Sequence, residues 1–599
     1  MDGSRIAHSR GLMRNALSVL PVFLSALLMA ACGEGSAAAT SDAGADGGRD
    51  GGVDAGLDAG PVPDLVVTAC EEVVVPGAAA RAGGFVVGYP LVVTESRGAD
   101  LVFRAPSIAR PVFLEVAGLV VRVDPRAPSG FDIAGLAADC GVFAYGVASG
   151  DPRADGVTLW TRVTPPEGAA AVTLSWRVSP EPSLASPVAQ GEVSVAAADD
   201  WSAHVDVAGL APGTTYYYGF TAPDGARSAL GRTRTAAPED ALRARFAVAS
   251  CSSLFSGWFN AYRRIAARDD LDLVIHLGDY IYDFVDENER VRVPPSGDVE
   301  DLTDLASHRR RHALYLSDPD LRAARAAHPW LLLWDNHDLA RARPEYGGGV
   351  QAFREWNPIR PIPAGAAPDV LYRSLRYGRL AEVLVVDVYL FQGRETLPGT
   401  SAPAVLGAAQ EAWLEETIRA SDAAWRVIGM QKVLVEFGDL SGWQDFPEAR
   451  ARFLDFFART GVADNLFLSG DSHITIFQDV VSVDPAAPYD PATGVGALGG
   501  EFLPTSITRG NFDETLGPRS ERIIGLTRSG FLRANPWQVD LELTSHGYGV
   551  VDVTPERVVG ESWYSPILAP SDEETLGLSY AMPRGANRWD RARREAVSE

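Results

Sequence analysis

Apolar and polar positions change their rhythm once along this chain. Between residues 65 and 237, short β-rich runs at 84–94, 100–104, 112–123, 158–162, 172–178, 201–207 and 214–220 are divided by Gly, Pro and Asp turns, the pattern of small all-β units. From residue 245 onward, near-continuous apolar runs of strand length (246–250, 271–277, 329–334, 425–433, 465–469) alternate with helix-like stretches at 257–269, 408–420 and 447–460. That alternation predicts a layered α/β domain, large enough to bury a sizeable core. The stretch 569–599 turns charged and aperiodic, which fits a closing helix or a tail.

Polar chemistry gathers where the apolar runs stop. LGDYIYDF places Asp279 and Tyr282 three residues apart just past the run 271–277, two hard oxygen donors on one loop at a strand end. FAVASCSS delivers Cys251 to a small-residue turn, although a buried free cysteine is the commoner meaning of such a residue. PWLLLWDNHDLA ends in Asp335, Asn336, His337 and Asp338, where a helix cap would also account for Asp335 or Asn336. NLFLSGDSH sets Asp471 and His473 at i and i+2, which face one way in extended chain.

In this order the motifs resemble the calcineurin-like metallophosphoesterases and purple acid phosphatases, and more closely the alkaline phosphatase D (PhoD-like) family. GVASGDPRADGVTLWTRV at 146–163 resembles that family's N-terminal signature, and QEAWL (410–414), 443–450, EFLPTSIT (501–508) and HGY (546–548) resemble its later blocks. The resemblance spans 141–563 and implies a layered αββα metallophosphoesterase domain. Asp279 would bridge two metals; Cys251, Tyr282 and His473 would complete a site for Fe3+; Asn336 and Asp471 would hold Ca2+, with Zn2+ or Mn2+ as alternatives. Gln431 is a weaker candidate for the second ion. A metal-bound hydroxide would attack a phosphate ester, metal binding having brought the pKa of water from about 15.7 toward roughly 7, with His337 assisting the leaving oxygen. No GxSxG elbow supports a serine hydrolase.

Two of the motifs depart from the family pattern. WDNHD stands where the family usually reads WDDHE, so Asn336 is a neutral ligand, and Tyr389 stands where the family tends to place an arginine after Asp387. Arg309, Arg310 and Arg311 could supply charge, or could simply form a solvated helix face.

The N-terminus resembles a bacterial lipoprotein signal: Arg5, Arg10 and Arg14 precede an apolar run ending at Cys32, too short to span a bilayer, with no paired arginines. Asp42, Asp46, Asp50, Asp54 and Asp58 then recur every fourth residue in a Gly- and Ala-rich tether, too apolar-poor to fold. With lipid and metal duties given to Cys32 and Cys251, Cys70 and Cys140 pair most simply as a disulfide in an exported protein.

The expected organisation is therefore 1–32 signal and anchor, 33–64 disordered acidic linker, 65–140 immunoglobulin-like domain, 141–237 fibronectin-like β-sandwich, 238–568 catalytic domain and 569–599 tail or closing helix. Within the second unit, LAPGTTYYYGF resembles a fibronectin tyrosine turn, with Tyr216 and Tyr218 in the core and Tyr217 outside. A net charge of −25 argues against binding nucleic-acid backbones. The expectation is a monomeric, lipid-anchored phosphomonoesterase or phosphodiesterase of the cell envelope. The alternative is an anchored binding or adhesion protein whose catalysis Asn336 and Tyr389 have weakened.

Overall fold

The computed structural model describes residues 141–591, except 287–288, 293–301, 341–346, 363–366, 437–441, 484–487 and 518–519, together with short strand segments within 66–123. Cys32, the acidic tether, Cys70 and Cys140 fall outside the described residues. The segments within 66–123 pair as two small antiparallel sheets, of four and three strands.

Five short strands carry the polar motifs: β1 (Ala244–Ala249), β2 (Leu273–Leu277), β3 (Pro329–Leu333), β4 (Trp425–Met430) and β5 (Asn465–Ser469). All but one of their residues are buried, as strands covered on both faces require. β1, β2 and β3 run parallel inside a nine-stranded sheet. β4 and β5 run parallel inside a seven-stranded one.

Alternation along the strands sorts their side chains. Val383, Val385, Val427, Leu466 and Leu468 of the smaller sheet join one core with Phe246, Val248, Ile275 and Leu277 of the larger. Leu384, Ile428, Met430 and Phe467 point the other way, onto Leu414 and Ile418 of helix Ala408–Ala420 and Phe453 and Phe457 of helix Pro447–Thr460. Between the sheets, a β-carbon on Gly429 would meet Leu277 Cδ2 at 2.9 Å, so β2 and β4 approach more closely there than a larger residue allows.

The strands of 141–237 are shared between two sheets. Ala171–Ser179, Ala189–Ala196, Thr215–Thr221 and Gly231–Arg234 form a four-stranded sheet of their own. Val147–Arg153, Gly156–Arg162 and Ser202–Ala208 instead extend the nine-stranded sheet, Val147–Arg153 pairing parallel to β3. At the opposite edge Thr575–Pro583, in the stretch read as a tail or closing helix, is a strand paired with Arg557–Tyr564. Its first four residues alternate exposed and half-buried and Ser579, Tyr580, Ala581 and Met582 are buried, a pattern masked by the charged sequence around it.

Tyr216 and Tyr218 are buried and Tyr217 is half-buried. Ala211 N–H donates to Tyr216 Oη at 3.0 Å, tying the turn to the strand that follows. Tyr216→Phe leaves that N–H without its acceptor and is expected to cost about 1 kcal/mol or slightly more, read as a shift of the urea midpoint with unchanged slope.

Candidate metal centre

One register governs the site. The second residue beyond β1 is Cys251, beyond β2 Asp279, beyond β3 Asp335, beyond β4 Lys432 and beyond β5 Asp471. Parallel strands deliver their following loops to one edge of a sheet, so five chemically active side chains arrive together.

The loops that hold them are tight. Cys251, Asp279, Asp471 and His473 account for four of the eleven non-glycine residues with positive φ among those described, at 58°, 53°, 67° and 57°. Left-handed backbone costs side-chain-bearing residues energy and concentrates where function fixes geometry. Asp471 and His473 thus reach the site from left-handed turns and not from the extended chain that their spacing suggested. Cys251 N–H donates to Gly278 O at 3.2 Å and Ser252 N–H to Asp279 O at 2.9 Å, lacing the first two loops together.

At the centre, Tyr282 Oη donates to Asp279 Oδ2 at 3.2 Å and lies 3.4 Å from His473 Nε2, while Cys251 Sγ is 3.9 Å from the same carboxylate oxygen. His473 Nδ1 meets the Gly510 carbonyl at 3.0 Å, which fixes its proton there and turns Nε2 inward. Cys251, Asp279 and His473 present donor atoms all within 4.8 Å of one another, and so do Asp279, Asp335 and Asp471.

Burial pushes the Cys251 thiol and the Tyr282 phenol well above their usual ranges, and Asp279 adds to both. Burial also raises Asp335 strongly, against the pull of Lys432. The His473 imidazole is lowered to about 3, chiefly by burial. A neutral imidazole beside three potential anions is a donor set that suits a highly charged cation, and thiolate with phenolate suits Fe3+. These four side chains fit the expected trivalent ion.

The second half of the site is built differently. Lys432, which the sequence reading passed over, donates from Nζ to Asp471 Oδ1 at 2.5 Å and to Asn336 Oδ1 at 3.1 Å, and pairs with Asp335 Oδ2 at 2.9 Å. Burial alone would lower the Lys432 pKa, but Asp335, Asp471 and Asp279 outweigh it and raise the value. Burial likewise works to raise Asp471, yet Lys432 holds it below the usual carboxylate range. The signal was available: Lys432 is the sole lysine in 599 residues, among 53 basic side chains.

His337 stacks on Tyr282 with ring centroids 4.2 Å apart, and its Nδ1 meets Asp283 Oδ1 at 2.5 Å. Asp283, four residues beyond Asp279 in the same motif, thus sets the ring's orientation. The His337 backbone N–H donates to Asp279 Oδ1 at 3.3 Å.

Other candidates serve the scaffold. Gln431 donates to Trp334 O at 2.7 Å and accepts from Val388 N–H at 2.9 Å, so its amide clasps loops. Asp338 accepts from Tyr280, Ile281 and Asp335 N–H groups. Of the arginine triplet only Arg310 is exposed: Arg309 pairs with Glu355 and Arg311 hydrogen-bonds the Tyr282 carbonyl. Tyr389 is buried, with its ring centroid 5.9 Å from Lys432 Nζ. Beside it opens a cavity of about 430 Å³ lined by Asn336, Val388, Tyr389, Lys432, Trp443 and Phe446 among others.

A mixed α/β fold with this loop chemistry defines a phosphoesterase. Residues 246–561 match the PhoD-like phosphatases and residues 134–237 match their N-terminal domain, so the chain belongs to the PhoD-like phosphatase family. It is 32% identical to alkaline phosphatase D of Bacillus subtilis (strain 168) over 416 residues, 61% of this chain and 70% of that one. A solved structure of PhoD superposes with a TM-score of 0.65 at 28% identity, covering 76% of this chain and 93% of its own. Membership makes the protein a phosphoric ester hydrolase of a metal-dependent family.

Gly278 has φ of 104°, and a β-carbon there would lie 2.7 Å from Asp335 Cβ. Gly278→Ala is expected to cost about 1–3 kcal/mol in backbone strain alone and to lower metal content by spreading the Asp279 and Asp335 loops. Gly461→Ala, at φ of 65° in open space, should show the strain without the metal loss; urea titration and elemental analysis separate the two.

Proposed function

We propose that this chain hydrolyses phosphate esters at the bacterial cell envelope, on a layered αββα scaffold, using a trivalent ion, Fe3+, held by Cys251, Asp279, Tyr282 and His473. The observation that carries the reading is the meeting of a thiol, a carboxylate, a phenol and an imidazole within a few ångströms. The ion, when bound, supplies Lewis acidity and lowers the pKa of water. The chain's own residues do the rest. Asp283 holds the His337 Nδ1 proton, so the ring's other nitrogen, when protonated, is oriented to give that proton to the departing ester oxygen as the oxygen of water bonds to phosphorus and the bond from phosphorus to the ester oxygen breaks. Asn336 and Lys432 border the adjoining cavity and orient the phosphoryl oxygens. The apolar and aromatic side chains of Val388, Tyr389, Trp443 and Phe446 take the organic substituent, which favours esters carrying an aryl or acyl-chain group over inorganic or highly charged phosphates.

The envelope location is inferred from the lipoprotein-like segment ending at Cys32. Among the described residues no helix is long and apolar enough to cross a membrane. We read the mature protein as a lipid-anchored monomer.

Cys251→Ser should deplete iron and lower turnover by about 10- to 100-fold with the fold retained, whereas a cysteine that merely packs would cost little activity. Iron-loaded wild type should show a visible phenolate-to-iron band that disappears in Tyr282→Phe. An active, colourless, iron-free wild type would overturn the Fe3+ assignment.

His337→Gln is expected to lower kcat by roughly 10²- to 10⁴-fold on alkyl phosphates, and far less on nitrophenyl phosphates, whose leaving oxygen needs no proton. Equal losses on both substrates would remove His337 from the proton-donor role.

A further inference from the structure

The donors expected to hold a second metal already hold an ammonium group. Lys432 Nζ stands 2.5 Å from Asp471 Oδ1, 2.9 Å from Asp335 Oδ2 and 3.1 Å from Asn336 Oδ1. It occupies the ligand register of its strand, the second residue beyond β4. The family's second cation therefore does not fit as expected: a divalent ion on these oxygens would sit within hydrogen-bonding distance of a positive charge. We infer that Lys432 takes the place of the second cation, so that this chain is a single-metal phosphatase in which an ammonium group completes the charge.

The choice of residue argues the same way. Of 53 basic residues in the sequence, 52 are arginine, and the one lysine is this one. Arginine's guanidinium is a planar fork that matches the two oxygens of one carboxylate. Three oxygens from three different side chains, converging from β3 and β5 loops, need a compact charge with three N–H groups splayed around one atom. Lysine alone among the permanently cationic side chains has that shape. A chain that places arginine at every other basic position has lysine where the geometry of a small cation is required.

Its surroundings suit the role. Lys432 is buried to 8% exposure, yet it lines the cavity with Asn336 and Tyr389, so an entering phosphate oxygen can exchange for one of its three partners. Tyr389, at the position where the family tends to carry an arginine, lies with its ring 5.9 Å from Nζ and walls the ammonium from the apolar side. Lys432 is then a binding residue for substrate oxygen as well as the neutralising partner of Asp471 and Asp335. The inference rests on the reading of Cys251, Asp279, Tyr282 and His473 as the first metal site.

The test uses the full mature chain with lysine labelled at Cε by carbon-13, which gives one lysine resonance, and with metals counted by elemental analysis. The wild type is expected to retain one tightly held ion per chain. Its turnover should be indifferent to calcium or to EGTA, and its Cε resonance unmoved by calcium chloride but shifted by inorganic phosphate or vanadate. Lys432→Met should bind calcium or manganese at least about tenfold more tightly than wild type by calorimetry. Two ions per wild-type chain, or a Cε resonance that moves when calcium is added, overturns the inference, as does a Lys432→Met chain with unchanged divalent affinity. If Lys432→Met does not fold, the wild-type stoichiometry and resonance decide alone. Absence of iron from the wild type counts against the first-site reading, while the calcium response reports on Lys432 alone.

Discussion

Acidic side chains buried together stay protonated unless something positive is buried with them. Cys251, Asp279, Tyr282, Asp335 and Asp471 converge between loops from two sheets, where burial and the neighbouring Asp279 carboxylate raise the cost of ionising Cys251, Tyr282 and Asp335. The rest of the architecture follows from meeting that demand. Short parallel strands bring the loops to one edge, left-handed turns at Cys251, Asp279, Asp471 and His473 aim the donors inward, and Gly278 allows the Asp335 loop to approach. Half of the demand is answered by a side chain, Lys432, and half by donors whose chemistry calls for a metal.

Much of this could be read from the sequence because buried parallel strands are written as unbroken apolar runs, and a polar residue just past such a run has few places to go. Asp279, Tyr282, Asn336, Asp471 and His473 were visible on that ground. Cys251 was visible only with the family resemblance, since a lone cysteine after an apolar run is ambiguous. Lys432 was hidden by a boundary: the apolar run 425–433 reads straight through it, whereas the strand stops at Met430 and the lysine belongs to the loop. Asp283 was overlooked for a related reason. Its role as the partner of His337 depends on a contact across 54 residues of chain that no local pattern encodes.

The β-rich region before residue 238 was legible as strands but not as topology. Alternation tells which face of a strand is buried, and says nothing about which sheet it joins. Hence the turns of 141–237 suggested a self-contained sandwich, while three of its strands complete the sheet that carries the chemistry. The strand Thr575–Pro583 does the same at the other edge.

That shared sheet makes the two family-matched segments mutually dependent. Val147–Arg153 lies along β3, a strand of Pro, Trp and three leucines with no polar side chain to discourage partners. Cut away at residue 237, it would leave β3 as a bare, greasy margin of the kind along which unrelated chains stack into insoluble ribbons. The amino-terminal segment is thus a selvedge, woven into the cloth so that the edge does not unravel.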